Sequence, residues 1–205
     1  MELSAVIRQR RMCRDFTAEP VDPGVVDELL GLAQQAPSAG FSQGFSFLVL
    51  EGAHTARFWD CTLAAEKRAS FPWPGLLNAP VLVLPLAHAQ TYVDRYSEPD
   101  KSRTGLGQSA DDWPVPYWYV DTAMATQNLL LAVVDKGLGA LFFGIFEREA
   151  ELLAELAVPA GHRAIGAVAI GHPAPQPSNA AQGAQGSART RARRPLADIV
   201  HRNGW

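Results

Sequence analysis

The sequence has little of what marks several well-defined classes of protein. Only two of its 205 residues are cysteines, too few for a disulfide framework, and they lack the spacing of metal ligands. Its five histidines are scattered, with no HxxxH or HxH pair, so no metal site is predicted. There is no Gly-x-Ser-x-Gly elbow, no P-loop, and no Gly-x-Gly-x-x-Gly after a predicted strand. These absences argue against a serine hydrolase, a P-loop NTPase and a Rossmann nucleotide site.

Charge and hydrophobicity exclude further classes. The formal net charge is −3, which argues against a general nucleic-acid binder. The uncharged stretch at residues 122–134 is too short to span a membrane, and it contains Gln127 and Asn128. Residues 1–4 lack the basic and apolar regions of a signal peptide. A cytoplasmic protein of one domain is therefore predicted.

A cluster of arginines near the start is the first positive feature. Arg10, Arg11 and Arg14 fall within five residues, at the end of a helix predicted over residues 2–10. The planar guanidinium fork suits phosphate and carboxylate groups. The cluster is either an anion site or a solvated basic turn. Cys13, which lies among these arginines, is either a thiol of lowered pKa or a plain reduced thiol.

Apolar periodicity and turn residues predict a mixture of helices and strands. Strands are predicted over residues 45–50, 79–86, 140–143 and 163–171. Helices are predicted over residues 2–10, 53–63, 117–136 and 147–156, and from an Asp22 N-cap onwards with Pro23 in the first turn. Pro85 is expected to end the second strand, because proline cannot donate to a sheet. Gly137 is expected to end the long helix in a left-handed conformation.

Two regions allow more than one interpretation. Residues 97–117 are rich in turn residues and predict an irregular loop, which is often functional at that length. The aromatic residues at its end either wall a flat ligand or pack in the core; they are Trp113, Tyr117, Trp118 and Tyr119. In the long helix, Asp121, Gln127 and Asn128 either contact a ligand or interface, or are satisfied within the core.

The end of the chain differs in composition from the rest. Residues 173–187 form a Pro/Ala/Gly/Gln-rich linker, followed by a second basic run at residues 189–194. We expect one domain at residues 1–172 and an extended arm at residues 173–205, which completes that domain or packs on a partner subunit. A phosphorylated, planar, apolar cofactor would use both arginine clusters and the apolar strands.

Four segments, in this order, resemble motifs of the nitroreductase family of FMN-dependent oxidoreductases. Residues 10–16 (RRMCRDF) are similar to the family's opening Arg-Arg-Ser-x-Arg-x-Phe, and residues 36–43 (APSAGFSQ) to its Ala-Pro-Ser-x-x-Asn-x-Gln. Residues 121–139 resemble the central helix and the turn that follows it. Residues 191–201 resemble the C-terminal Arg-x-Arg-x-Pro-Leu and Val-His. Each motif alone is weak, but four in register over nearly the whole chain are specific.

The resemblance implies a fold, a cofactor and a reaction. The fold would be α+β with three layers, a central and mostly antiparallel sheet of four to five strands flanked by helices. Two chains would form an intertwined homodimer with FMN at the interface. NADH or NADPH would pass a hydride to flavin N5, and a small acceptor (a nitro compound, quinone or enone) would then take its place in ping-pong order. No catalytic protein residue is implied, because the flavin carries the chemistry.

The resemblance also implies which residues hold FMN. The N-terminal and C-terminal arginines would bind its phosphate, ribityl and pyrimidine groups, the 37–41 loop would approach from the partner subunit, and the third strand would line the ring near N5. The predicted cofactor-binding residues are Arg10, Arg11, Met12, Arg14, Pro37, Ser38, Ala39, Phe41, Gln127, Leu141, Phe142, Phe143, Gly144, Arg191 and Arg193.

Several positions depart from the family pattern. Met12 stands where Ser is usual, Phe41 replaces Asn, and residues 72–75 (PWPG) replace a polar ring contact. The site is therefore more apolar than is usual for the family. Two alternatives to the enzyme stay open. One is a flavin-binding sink or regulator with little turnover, in which Phe41 fills the ring site. The other is an interaction protein whose basic arm binds an anionic partner, although the net charge counts against it.

Overall fold

The structure is a computed structural model that describes residues 1–175 and 191–205. Met1–Ala174 form one compact unit, and Pro175–Trp205 belong to a second. Of the predicted linker and basic run, residues 176–190 lie outside the described residues. Within the described part of the chain, no helix combines the length and the apolar character that a bilayer crossing requires.

A five-stranded sheet, antiparallel throughout, forms the centre of the first unit. Its strands are β1 (Phe45–Glu51), β2 (Val81–His88), β3 (Gly139–Phe143), β4 (His162–Ala164) and β5 (Ala167–Gly171). The order is β1-β2-β5-β3, with β4 also paired to β2. β1 and β3 are therefore the edges of the main path. Helices flank this sheet, so the predicted α+β architecture is confirmed.

Seven α-helices surround the sheet. They are α1 (Leu3–Gln9), α2 (Pro23–Ala33), α3 (Thr55–Thr62), α4 (Ala65–Arg68), α5 (Ala89–Ser97), α6 (Tyr117–Asp135) and α7 (Glu149–Glu155) among the described residues. One core lies between the sheet and the helices α2 and α6, around Leu29 and Leu129. The other lies between the sheet and the helices α3 and α7, around Phe58 and Leu152. Because both faces are covered, β2 is buried at every position except His88.

Local signals placed two helix ends correctly. The Asp22 side chain accepts a hydrogen bond from the Gly24 N–H at 2.7 Å, and Pro23 opens α2. Gly137 has φ +73°, and the N–H groups of Gly137 and Leu138 donate back to the carbonyls at the end of α6. Both predictions are confirmed, and both rest on chemistry within a few residues of the helix end.

Two strand predictions were wrong. β2 does not end at Pro85 but continues to His88. The Pro85 carbonyl accepts from the Ile165 N–H at 3.1 Å. In an antiparallel strand the N and the C=O of one residue face the same neighbour, so the nitrogen of Pro85 faces away from β1. On that side the neighbour of β2 changes from β5 to β4. The proline therefore costs no hydrogen bond to β1. The strand predicted over residues 163–171 is divided into β4 and β5 at Gly166, where φ is +150°.

The region around residues 97–117 is more ordered than predicted. The unpredicted helix α5 leads into it, and two short 3₁₀ turns follow at Ser102–Thr104 and Ala110–Asp112. Trp113 is buried, packs edge-on against Tyr92 and Tyr96, and donates from Nε1 to the Leu106 carbonyl at 2.9 Å. Core packing is therefore the correct interpretation for Trp113.

Replacing Gly137 by alanine should lower the free energy of unfolding by about 1 kcal/mol, because a Cβ disfavours the left-handed conformation. Apart from the two chain neighbours of Gly137, no described residue has an atom within 4 Å of the added Cβ, so the cost is conformational. Gly31, on the exposed side of α2, has equally open surroundings and a helical backbone. Gly31→Ala should therefore stabilise the protein by about 0.5–1 kcal/mol. Urea unfolding of both variants checks this, and shifts of the same sign would contradict it.

Candidate functional site

The N-terminal arginine segment lies along the outer edge of β3. Met12 forms a parallel bridge with Ala140, and the Cys13 N–H donates to the Ala140 carbonyl at 2.8 Å. The approach is close: a Cβ on Gly139 would lie 3.0 Å from the Cys13 side chain. The motif at residues 10–14 is thus held against the strand that was predicted to line the flavin ring.

The three arginines of this segment have different surroundings. Arg10 is half-buried, and its Nη1 is buried without a hydrogen-bond partner among the described residues. Arg11 follows α1 and turns back onto its end, where Nη1 donates to the carbonyls of Arg8 and Arg10 at 2.6 and 2.9 Å. Arg14 is exposed, and its guanidinium lies 5.7 Å from the centre of the Trp73 ring. Nη1 of Arg10 is therefore a buried donor for which the described residues supply no acceptor.

The predicted ring-lining residues of β3 divide between the two faces of the sheet. Leu141 is buried in the α3 and α7 core, and Phe143 packs against it, stacked on Trp59 with ring centres 5.9 Å apart. Phe142 lies on the α6 face. Because the Ala140 carbonyl points off the sheet towards Cys13, the backbone groups of Phe142, two residues on, face the same outer side. This edge offers backbone donors and acceptors as well as the Phe142 ring.

The second predicted contact, the loop at residues 37–43, has a strained backbone. Gly40, Phe41 and Gln43 have φ of +60°, +56° and +54°. Local bonds hold this shape: the Gln43 N–H donates to Ser38 Oγ at 3.0 Å, and Arg95 Nε donates to the Gly40 carbonyl at 2.9 Å. Positive φ at a residue as bulky as phenylalanine is costly and is found mainly at functional sites. Phe41 is 74% exposed, so it fills no cavity of its own chain.

A buried carboxylate anchors this loop to α6. Asp121 is 1% exposed, and its Oδ2 accepts from the Ala39 N–H and from the Tyr92 hydroxyl, each at 2.8 Å. Burial, followed by the bond to Asp121, raises the pKa of Tyr92 far above its ordinary value, so the phenol stays a donor. Of the alternatives left open for Asp121, satisfaction within the core is the one that the structure supports. No pattern in the sequence identified Tyr92 as its partner.

The loop and the arginine segment lie at opposite corners of the sheet. Glu51, Val81, Ile170 and Ala140 form one row across the four strands of the main path. Arg10–Arg14 flank the Ala140 end of this row, whereas the loop precedes Phe45, at the far end of β1. Strands lie about 4.8 Å apart and rise about 3.3 Å per residue, so the two regions are separated by roughly 25 Å. One chain does not bring them together.

The remaining predicted residues lie elsewhere. Pro37 is exposed at the start of the loop, and Gly144 follows directly after β3. Gln127 is on the exposed face of α6. Arg191 and Arg193 are exposed and belong to the second unit, in which the Arg194 guanidinium donates to the Asp198 carbonyl at 2.5 Å.

An ion pair that the sequence did not reveal lies beside Phe142. Arg163 donates from Nε and Nη2 to the two carboxylate oxygens of Glu149, each at 2.9 Å. Arg163 lines a cavity together with Phe142 and Tyr119. The sequence shows Arg163 at the start of an apolar strand. It does not show the pairing, because Glu149 lies fourteen residues earlier, in α7.

Comparisons with known proteins agree with one another. The sequence profile described as "Nitroreductase family" matches residues 7–172. An Archaeoglobus fulgidus protein named as an NADH dehydrogenase/NAD(P)H nitroreductase is 24% identical over 176 residues, covering 84% of this chain and 86% of that protein. A 5,6-dimethylbenzimidazole synthase from Rhodospirillum rubrum is 31% identical over 185 residues, covering 83% and 82%. A Desulfovibrio desulfuricans nitroreductase crystallised with FMN is similar with a TM-score of 0.65 and 25% identity, covering 100% and 98%.

Asp121→Ala should lower the free energy of unfolding by about 1–3 kcal/mol, because it leaves the Ala39 N–H and the Tyr92 hydroxyl without an acceptor in a buried place. Asp135, on the same helix, is the matched control: it is exposed and accepts from the N-terminal amine. Asp135→Ala should cost less than about 1 kcal/mol. Denaturant unfolding measures both, and equal losses would refute the anchoring role.

Proposed function

The chain belongs to the nitroreductase family, and from this we propose that it passes electrons from NADH or NADPH to a small organic acceptor at an FMN site shared by two copies of the chain. Membership makes the chain an FMN-dependent oxidoreductase. The donor, the acceptor, the homodimer and the individual contact residues are the further content of the proposal. Nitro compounds, quinones and enones are the acceptor classes considered.

The observation that carries the proposal is Nη1 of Arg10, which is buried and has no hydrogen-bond partner in the described part of the chain. A buried guanidinium nitrogen without an acceptor is costly, so a ligand that supplies one is favoured. FMN offers such acceptors in its phosphate, ribityl and pyrimidine oxygens. Arg10 would bind them directly, and Arg14 would add a second guanidinium, which Trp73 holds by a cation–π contact. Arg11 would stabilise the end of α1, with Met12 pairing beside it.

The outer edge of β3 supports the placement of the flavin ring. Phe142 faces this edge with its backbone groups, and Gly144 follows at the strand end. Bound FMN would supply the two-electron redox chemistry. The edge backbone would hydrogen-bond the polar rim of the ring, and the Phe142 side chain would exclude water from the α6 side. Arg191 and Arg193 would add charge at the phosphate, as their motif implies.

The separation of roughly 25 Å between residues 10–14 and the 37–43 loop supports a homodimer, because one chain cannot place both against one cofactor. In a pair of chains related by a two-fold axis, the loop of one copy can meet the arginines of the other. Pro37, Ser38, Ala39 and Phe41 would then approach the flavin from the partner subunit.

The exposed side of α6 supports the same conclusion. An apolar stripe at helical spacing stays partly or wholly exposed, consisting of Val120, Ala123, Met124 and Leu131. Leu3 and Ile7, on the outer side of α1, are also exposed, while Val6 between them is buried. A central helix that leaves apolar side chains in water favours association with a second copy. Gln127 would lie within that interface.

The names of the relatives do not agree on an acceptor. One is named as an NADH dehydrogenase/NAD(P)H nitroreductase and the other as a 5,6-dimethylbenzimidazole synthase. The apolar replacements Met12 and Phe41 separate this site from the usual family pattern. A screen of several acceptor classes is therefore the appropriate test, with nitro compounds as one class among others.

The purified protein should be yellow and should release a flavin that migrates as FMN. Anaerobic addition of NADH or NADPH should bleach the yellow absorbance of the oxidised flavin, and one of the acceptors should restore it over many cycles. A yellow protein that neither donor bleaches would indicate the flavin-binding sink. A protein that stays colourless after incubation with FMN would refute both.

Arg10→Ala should weaken FMN binding by about tenfold or more, because a hydrogen bond to a charged group is worth roughly 1.5–3 kcal/mol. Arg8 is the matched control: it lies in the last turn of α1, two residues before Arg10, is exposed, and donates to Ser4 Oγ. Arg193→Ala should have an effect comparable to Arg10→Ala, with Arg202→Ala as its control in the arm.

Flavin fluorescence titration of the apoprotein measures these affinities, and the unfolding midpoint of each variant shows whether it is folded. Unchanged FMN affinity in both Arg10→Ala and Arg193→Ala would overturn the phosphate assignment. A loss in Arg8→Ala as large as that in Arg10→Ala would show a general effect of charge.

A further inference from the structure

A cavity of about 460 Å³ opens where β3 and β4 meet the first turns of α6. Its volume is within the range of small-molecule sites. The lining consists of Tyr119, Ala123, Phe142, Arg163, Ala164 and Ile165. The two aromatic residues offer flat walls, and Arg163 is the one charged residue among these six.

Arg163 is held in place before any ligand arrives. Its Nε and Nη2 donate to the two oxygens of Glu149 at 2.9 Å each, and the carboxylate also accepts from the Ala164 N–H at 3.0 Å. The bond to Arg163 lowers the pKa of the Glu149 carboxyl below its usual value, so the pair stays ionised at neutral pH. A side chain that is already ordered loses little conformational entropy when a ligand binds.

The guanidinium still has donors to offer. Two of its three nitrogens bind Glu149, and among the described residues no hydrogen bond is made by Nη1. The Arg163 side chain is 63% exposed, whereas that of Glu149 is 19% exposed, so solvent or a ligand reaches the cation more readily than its partner. A guanidinium in this arrangement is suited to a carboxylate or a similar anion.

We propose that this cavity is the acceptor site, and that Arg163 selects acceptors with an anionic group, such as a carboxylate, on a flat aromatic ring. The proposal rests on the proposed function, since Phe142 lines both the cavity and the β3 edge assigned to the flavin. The aromatic walls take the ring, and Arg163 takes the charge. Anionic aromatic acceptors are thereby favoured over neutral ones of the same shape.

The test compares 4-nitrobenzoate with 4-nitrobenzyl alcohol, which differ in charge but little in shape, as acceptors for the FMN-loaded protein. In Arg163→Gln, the ratio of kcat/KM for the carboxylate to that for the alcohol should fall about tenfold. The change should come from a higher KM for the carboxylate. Arg163→Lys should recover part of the ratio. Arg57→Gln is the matched control, since Arg57 also pairs with a glutamate, Glu155, away from the cavity.

A binding measurement keeps this proposal separate from the proposed function. Calorimetric titration of the FMN-loaded protein with 4-chlorobenzoate and 4-chlorobenzyl alcohol needs no turnover. The carboxylate should bind more tightly to the wild type, and Arg163→Gln should remove that advantage. If binding behaves so while no acceptor is reduced, the proposed function fails and the anion site stands.

Three outcomes would overturn the proposal. One is equal preference for the carboxylate in the wild type and in Arg163→Gln. Another is a rise in KM for NADPH but not for NADH in Arg163→Gln, which would assign the anion to the phosphate of the donor. The last is a loss of the dimer in light scattering of Arg163→Gln, which would assign Arg163 to a carboxylate of a second copy.

Discussion

The Cys13 N–H donates to the Ala140 carbonyl over 2.8 Å, and the geometry of the candidate site depends on this bond. It attaches the N-terminal segment to an edge strand whose outward backbone groups would otherwise be unpaired. Gly139 makes the approach possible, because a Cβ there would lie 3.0 Å from both Cys13 and Pro173. Since Arg10 and Arg14 lie on either side of this contact, it determines where their guanidinium groups can reach.

The sequence predicted those parts of the fold that short-range chemistry determines. Asp22 caps α2, and Gly137 ends α6, because each works through bonds to residues two to four positions away. The prediction that β2 ends at Pro85 was wrong for the opposite reason, because whether a proline ends a strand depends on which strand lies beside its nitrogen. The division of residues 163–171 likewise follows from the change of partner along β2, which no local pattern contains.

The candidate site divides in the same way. A motif can identify Arg10, Arg11 and Arg14. It cannot show that Arg11 folds back onto the end of α1, or that a buried nitrogen of Arg10 finds no acceptor among the residues that the structure describes. It also cannot show that Leu141 and Phe143 face the core, whereas Phe142 faces α6. Some residues act in pairs that are distant in sequence. Tyr92 and Asp121 are 29 positions apart, and only the packing of their helices shows that they are in contact.

The two halves of the proposed site differ in how they are stabilised, and this has a consequence for assembly. The 37–43 loop keeps its strained backbone through bonds within one chain, above all to the buried Asp121, so it is formed before any partner arrives. The arginine half is instead incomplete, because within residues 1–175 and 191–205 a buried guanidinium nitrogen lacks an acceptor. If FMN binds between the two halves, each copy contributes a rigid surface to the other's cofactor. Ligands that bind only the associated state stabilise that state by mass action, so cofactor loading and dimer stability would rise together.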